Sequence, residues 1–264
     1  MMKFDFPGPG RGYSLHNHSN WSDGSSSLEK MCRAAKAAGL KVFGMSDHWV
    51  VPPMEGTDSK EWSMDLNKLD LYVETLQKLK KELDDENFTL KIALEVDFFF
   101  ENIDEVLKNL KNYPLDYLIG SVHYSGIFGI DYDISSWEPL TQADKDEVCE
   151  IYWKKLAGAA KVKEFAFIGH LDLPKKFGLI DNSKYLPHAL KILDILAENG
   201  GAFELNTAGF YKQCGEQYPS FEILKAAADL KIPVCVNADA HDPDHVIRGF
   251  EKAYSVLEKA GYRL

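Results

Sequence analysis

The chain contains eight histidines, and six of them occupy the same kind of place. His16 and His18 follow a short apolar run in SLHNHS. His48 follows another in MSDHW, His123 another in GSVHY, His170 another in FIGHLD and His241 another in NADAH. Two comparable runs end differently, one in Glu95 within ALEVD and one in Asn206 within ELNTAG. Imidazole and carboxylate together are the ligands of borderline divalent metals such as zinc, iron and manganese. A single histidine after an apolar run is more often structural. H-x-H alone says little, because alternate residues of a strand face the same side. Six histidines repeating one placement predict a metal cluster, provided the fold brings both ends of the chain to one pocket. Only His188 and His245 fall outside the pattern, each within a helical stretch.

The elements that must do this positioning alternate along the chain. Apolar, β-branched runs predict strands at Tyr13–Leu15, Val42–Met45, Leu90–Leu94, Tyr117–Val122, Phe165–Ile168, Ala202–Leu205 and Val234–Val236. Helical patterns lie at Leu28–Ala38, Leu66–Leu83, Ile103–Asn109, Asp144–Lys161, Tyr185–Glu198, Ser220–Asp229 and His245–Lys259. The first of these opens after a serine run and stops at Gly39, as capping favours. Regular βα alternation predicts an α/β fold with parallel strands and helical crossovers. A seven-fold βα barrel is the leading architecture, and a doubly wound open sheet is the alternative. In a barrel the strand C-termini converge on one face, so the six histidines and Glu95 would meet there. Nothing marks a domain linker, and Val50–Ser63 reads as a long loop over one face.

The bulk numbers narrow the partners. The chain has 264 residues, 45% hydrophobic and 27% charged, as in an ordinary globular protein. Its net charge of −11 repels nucleic-acid phosphates. A small phosphorylated substrate stays compatible, because bound metals invert the local field. Cys32, Cys149, Cys214 and Cys235 form no C-x-x-C pair, and Cys32 and Cys235 read as buried thiols. The N-terminal MMKFDFPGPGRGY has no apolar h-region, and no stretch approaches the ~18 apolar residues of a membrane span. The expectation is a cytoplasmic setting with reduced thiols and no membrane.

Over nearly its whole length the chain resembles the PHP (polymerase and histidinol phosphatase) superfamily. The segments that carry this are His16-Asn17-His18 followed by Ser22-Asp23-Gly24, then Asp47-His48, Glu95, His123, His170 and Asp239-Ala240-His241. The resemblance implies one domain, residues 1–264, with a distorted seven-stranded (β/α)7 barrel. It also implies three divalent metal ions, each zinc, iron or manganese. His16, His18, Glu95 and Asp239 would hold the first. Glu95, as a bridge, would hold the second with His123 and His170. Asp23, His48 and His241 would hold the third. Within the superfamily the chain looks most like histidinol-phosphatases, on IGSVHY, IGHLDLPKKFG, ELNTAG, YPS and DAHDP. The implied reaction is hydrolysis of L-histidinol phosphate to L-histidinol in histidine biosynthesis.

The resemblance also suggests lesser roles. A proton for the leaving alkoxide would come from Asp239, Asp47 or a water, and Asp47 could instead orient a ligand histidine. Lys175, Lys176 and Lys212 are candidates for the substrate phosphate, with Asn206 and Tyr211 as candidates nearer the leaving group. Glu101, Asp131, Asp133 and Glu216 are placed to reach a cationic amine. Phe98-Phe99-Phe100 reads as packing or as a pocket wall. One departure stands out. Many family members carry a phosphate-gripping arginine shortly after ELNTAG, where this chain reads Phe210-Tyr211-Lys212. The alternatives are a related phosphatase for a sugar phosphate or nucleotide, an amidohydrolase, and a non-catalytic metal-binding module. Glu95 and Asp47-His48 speak against the amidohydrolase, and the filled ligand positions speak against the inert module. The sequence does not set the oligomeric state.

Overall fold

The structure is a computed structural model that describes residues 7–54, 56, 59 and 61–264. Strands and helices alternate from the start. The first half holds β1 (Tyr13–Ser14), α1 (Leu28–Ala37), β2 (Val42–Met45), β3 (His48–Trp49), α2 (Leu69–Leu83), β4 (Thr89–Asp97), α3 (Ile103–Leu110) and β5 (Tyr117–Ser121). A small hairpin of β6 (Tyr124–Ser125) and β7 (Phe128–Gly129) and the one-turn α4 (Ile134–Trp137) follow. The second half holds α5 (Gln142–Ala159), β8 (Phe165–Ile168), α6 (Leu186–Asn199), β9 (Phe203–Asn206), α7 (Phe221–Asp229), β10 (Val234–Asn237) and α8 (Phe250–Ala260).

Seven strands lie in the order β1-β2-β4-β5-β8-β9-β10, and β3 pairs with β4 beside them. Every one of these pairings is parallel. The two ends of the sheet meet where Asn17 bridges Ala240 and the His18 N–H donates to the Ala240 carbonyl at 2.8 Å. The α/β architecture is therefore a nearly closed seven-stranded parallel barrel, and the open doubly wound sheet is excluded.

Local chemistry sets the helix ends. Ser27 caps α1 by accepting from the Lys30 N–H, and Thr141 and Asp144 form a reciprocal capping box on α5. Pro187 sits in the first turn of α6, and left-handed Gly200 stops it. The stretch expected as one helix from His245 is not one. Pro243–His245 forms a single 3-10 turn, Gly249 takes φ 81°, and α8 starts only at Phe250. Of the expected loop over Val50–Ser63, residues Glu55, Thr57, Asp58 and Lys60 lie outside the described residues.

The period-2 geometry of strands divides the core in two. Inside the barrel, Tyr13, Leu15, Ala93, Tyr117, Ile119, Phe167, Ala202 and Cys235 form an apolar floor. Outside it, Phe43, Leu94, Val96, Leu205, Val234 and Val236 pack against the helix ring. Further along the same inward faces the residues turn polar, as with Glu95 and Asp97 two and four positions beyond Ala93. The floor thus lies under a buried polar layer at the strand C-termini. Gly44 of β2 is needed for this packing, because a Cβ there would strike the Tyr117 hydroxyl, which donates to the Leu15 carbonyl. Gly44→Ala is expected to cost about 1–3 kcal/mol by overpacking. A urea midpoint equal to that of the unmodified protein would contradict this.

Candidate metal centre

All nine ligand-competent residues named from the sequence converge at the C-terminal end of the barrel. They fall into overlapping groups whose donor atoms lie within 4.8 Å of one another. These are His18, Asp23, His48 and His241; His16, His18 and Glu95; His16, His170 and Asp239; and His48, Glu95 and His123. Each stands at or just beyond a strand end or in the loop after β1. His170 and Asp239 adopt positive φ values of 21° and 50° to turn into the site. Non-glycine residues adopt that region at a cost that surrounding structure must meet, and such outliers gather at functional sites.

Glu95 is the hub. Its Oε2 lies 2.7 Å from His48 Nδ1, 3.2 Å from His16 Nε2 and 3.5 Å from His18 Nε2. Its Oε1 lies 2.9 Å from His170 Nε2 and 3.6 Å from His123 Nε2. Asp239 Oδ1 faces His18 Nε2 at 3.1 Å and His16 Nε2 at 3.6 Å. Asp23 faces His241 Nε2 at 3.1 Å and His48 Nε2 at 3.6 Å.

The donor set fits divalent metal ions. Ligand atoms on one tetrahedral ion at ~2.0–2.2 Å stand roughly 3.3–3.6 Å apart, close to most of these separations. Several of the atoms are also buried without a hydrogen bond, among them His16 Nε2, both nitrogens of His18, His48 Nδ1, Glu95 Oε2 and Asp239 Oδ1. Each such atom costs about 1–3 kcal/mol if left unpaired, and a bound cation pairs them together. The electrostatics agree. Burial pushes the Glu95 carboxyl up, but His16, His48 and His123 overcome it and hold it well below the usual carboxylate range. Burial pushes the His16 imidazole down, and Glu204, Glu95 and Asp239 hold it well above its usual value. This is a place that favours positive charge. His18 is pushed down to about 3 by burial, His48 and His241, which leaves a neutral ring with a lone pair to give.

A second ring of groups holds these side chains, and of its carboxylates the sequence reading named only Asp47. Glu204 is fully buried, and both its oxygens lie 3.0 Å from His16 Nδ1. It also accepts from the His170 N–H, Asn206 Nδ2 and Asn237 Nδ2. Asp97 accepts from the His123 N–H at 2.7 Å and faces His123 Nδ1 at 3.3 Å. Both are acidic residues on a strand buried on both faces, and that was the available signal. Asp47 is fully buried and accepts from the Ser19 N–H, the Ser19 hydroxyl and the Ser22 hydroxyl. It fastens the loop that carries His18 and Asp23. It does not line the cavity, so the structure corrects its expected role as a proton donor to the leaving group.

The cavity above the cluster measures about 780 Å³, and Asp23, His48, His123, His170, Asp239 and His241 are in its wall. The other candidates divide. Lys176, Tyr211 and Lys212 line the cavity. Lys175 does not join them, which corrects that expectation. Its amine is buried against Asp172 at 2.9 Å, Glu216 at 2.8 Å and the Gln217 carbonyl. Asn206 is buried and braces Asp239 through Nδ2 at 3.0 Å rather than facing the cavity. Of the acidic candidates for an amine, Asp131 lines the cavity. Glu216 is spent on Lys175, and Asp133 accepts from the Ser135 N–H at the start of α4. Phe98 and Phe99 are buried in the cores, and Phe100 is exposed. Unforeseen wall residues are Glu61, Trp62, Tyr124, His245 and Arg248.

Comparison with known proteins agrees with this geometry. The family model described as the PHP domain matches residues 14–208. The chain is 36% identical over 228 residues to a Deinococcus radiodurans protein named "Probable histidinol-phosphatase", covering 86% of this chain and 84% of that one. It is 25% identical to "Histidinol-phosphatase" of Lactococcus lactis subsp. lactis, covering 94% of this chain and 90% of that one. Among solved structures, histidinol phosphate phosphatase from Lactococcus lactis subsp. lactis, complexed with zinc, L-histidinol and phosphate, superposes with a TM-score of 0.76. It is 24% identical, covering 96% of this chain and 94% of that one, and it shares the fold.

Proposed function

The chain belongs to the PHP domain family, and from that premise we propose that it is a metal-dependent histidinol-phosphatase, converting L-histidinol phosphate and water to L-histidinol and phosphate. The observation that carries this reading is the convergence of nine imidazole and carboxylate side chains on one cavity, with buried donor atoms left unpaired. We assign three ions to it. His16, His18, Glu95 and Asp239 would hold one, Glu95, His123 and His170 a second, and Asp23, His48 and His241 a third. Zinc, iron and manganese all suit these donors. Divalent ions held there supply Lewis acidity toward a phosphate oxygen and toward water.

The chain's own residues do the rest. Glu204 fixes His16 with Nδ1 protonated, so that Nε2 is free as a ligand. Asp97 does the same for His123. Asp239 stands in the cavity wall with one oxygen held by Asn206, and it is the carboxylate placed to face the reacting group. Lys176 and Lys212 bring positive charge to the phosphate side. Trp62 stacks edge-on against His48 and His123 and keeps water from their outer faces. Asp131 and Glu61 lie in the same wall as Trp62 and Tyr124. Carboxylates beside aromatic rings suit a leaving group with an ammonium and an imidazole. On this reading the protein acts in histidine biosynthesis, in the cytoplasm, as one domain of residues 1–264. Among the described residues no helix is long and apolar enough to cross a membrane.

The test is steady-state kinetics on histidinol phosphate, with fructose 1-phosphate and AMP as comparators. Histidinol phosphate should lead in kcat/KM. If either comparator exceeds it by about tenfold, a difference of ~1.4 kcal/mol in transition-state stabilisation, another small phosphate ester is the substrate.

A further inference from the structure

Tyr211 occupies the place where an arginine was expected, and it is half exposed at the rim of the cavity. It is not an empty replacement. The guanidinium carbon of Arg248 lies 4.1 Å from the centre of its ring. Arg248 comes from a different element, the turn between the Pro243–His245 3-10 turn and α8. Left-handed Gly249 keeps this turn out of the helix, and the turn is fastened to the loop after β9. There the Thr207 hydroxyl donates to the Arg248 carbonyl, and a Cβ on Gly249 would meet Thr207 and Phe210 at 3.0 and 3.2 Å.

The guanidinium is held on two sides, by the Tyr211 ring and by His245 Nε2, to which Nη1 donates at 2.9 Å. Burial and Arg248 push the His245 imidazole below its usual value, and a neutral ring can accept that bond. Arg248 forms no ion pair among the described residues, whereas Lys176 is engaged by Asp131 at 3.2 Å. A half-buried arginine fixed by an aromatic face and a neutral acceptor, without a carboxylate and in the wall of an anion site, has donors to spare. Guanidinium matches phosphate through paired hydrogen bonds that an ammonium does not reproduce.

We propose that Arg248 grips the phosphate of the substrate, and that Tyr211 and His245 are the residues that position it. This rests on the phosphatase reading of the same cavity. The metal-loaded protein is tested with histidinol phosphate as substrate and inorganic phosphate as inhibitor and as calorimetric ligand. Arg248→Ala should raise KM and the phosphate inhibition constant together by about tenfold or more, the usual effect of losing a charged hydrogen bond. The kcat should fall less than KM rises, and metal content and the unfolding midpoint should stay unchanged. Arg248→Lys should recover only part of the loss. Tyr211→Leu should shift both constants in the direction of Arg248→Ala, and Tyr211→Phe, which keeps the ring under the guanidinium, should shift them less. An Arg248→Ala protein whose KM and phosphate affinity both stay within about twofold of the unmodified values, under ~0.5 kcal/mol, overturns the proposal. If the unmodified protein does not hydrolyse histidinol phosphate, the substrate assignment fails, and inorganic phosphate binding still decides the role of Arg248.

Discussion

Glu95→Ala is expected to lower turnover of histidinol phosphate by at least ~100-fold, because changes one shell further out already cost 10–100-fold. The protein should also retain less metal. The two oxygens of Glu95 face different sets of imidazoles. Oε2 approaches His16, His18 and His48, and Oε1 approaches His123 and His170. It is also 1% exposed, so water cannot take its place without a cavity opening. On the proposed ion assignment its removal would take a carboxylate from two ion sites at once, and it leaves five imidazoles facing each other with a carboxylate fewer among them. Elemental analysis beside single-turnover kinetics checks this. Turnover and metal content both close to those of the unmodified protein would contradict the bridging role.

Glu204→Gln should carry the second-largest effect, roughly 10–100-fold in turnover or metal affinity. The substitution keeps the shape and removes the charge. Everything that touches the Glu204 carboxylate donates to it: His16 Nδ1, the His170 N–H, Asn206 Nδ2 and Asn237 Nδ2. An amide offers one acceptor oxygen and one NH2 group, so donors would meet donors in a site with no solvent to relieve them. That conflict costs about 1–3 kcal/mol. It would also free His16 to adopt the other tautomer, with Nε2 protonated and unable to bind metal. A lowered unfolding midpoint with full metal occupancy and full activity would show that Glu204 serves folding alone.

The barrel was legible in the sequence because most strands are short apolar runs and each crossover carries a helix. The Val42–Met45 and Phe165–Ile168 strands are where their β-branched and aromatic residues put them. The strand expected at Leu90–Leu94 runs on through Glu95 and Asp97. Acidic residues ordinarily end a strand in a pattern of apolar runs, but here they belong to its inward face, where buried cationic chemistry needs them. Glu204 lay inside the expected strand Ala202–Leu205 and was passed over as a strand residue rather than a site residue. The strand β3 was missed because two residues, His48 and Trp49, carry no period. Lys175 and Lys176 are identical in sequence terms, yet one lies under Asp172 and Glu216 and the other in the cavity wall. Only the 3-10 turn Leu173–Phe177 separates their directions. His245 and Arg248 were hidden by a helical pattern that Gly249 interrupts. An isolated glycine gives no warning of φ 81° until the backbone is seen.

The most direct test is elemental analysis of the protein purified without chelator, followed by chelation, dialysis and assay on histidinol phosphate. The account predicts bound zinc, iron or manganese at up to three ions per chain, given the three ligand sets. It predicts loss of turnover as the metal is stripped, and its return when divalent metal is restored. Metal-free protein that still hydrolyses histidinol phosphate at the rate of the loaded protein would contradict it.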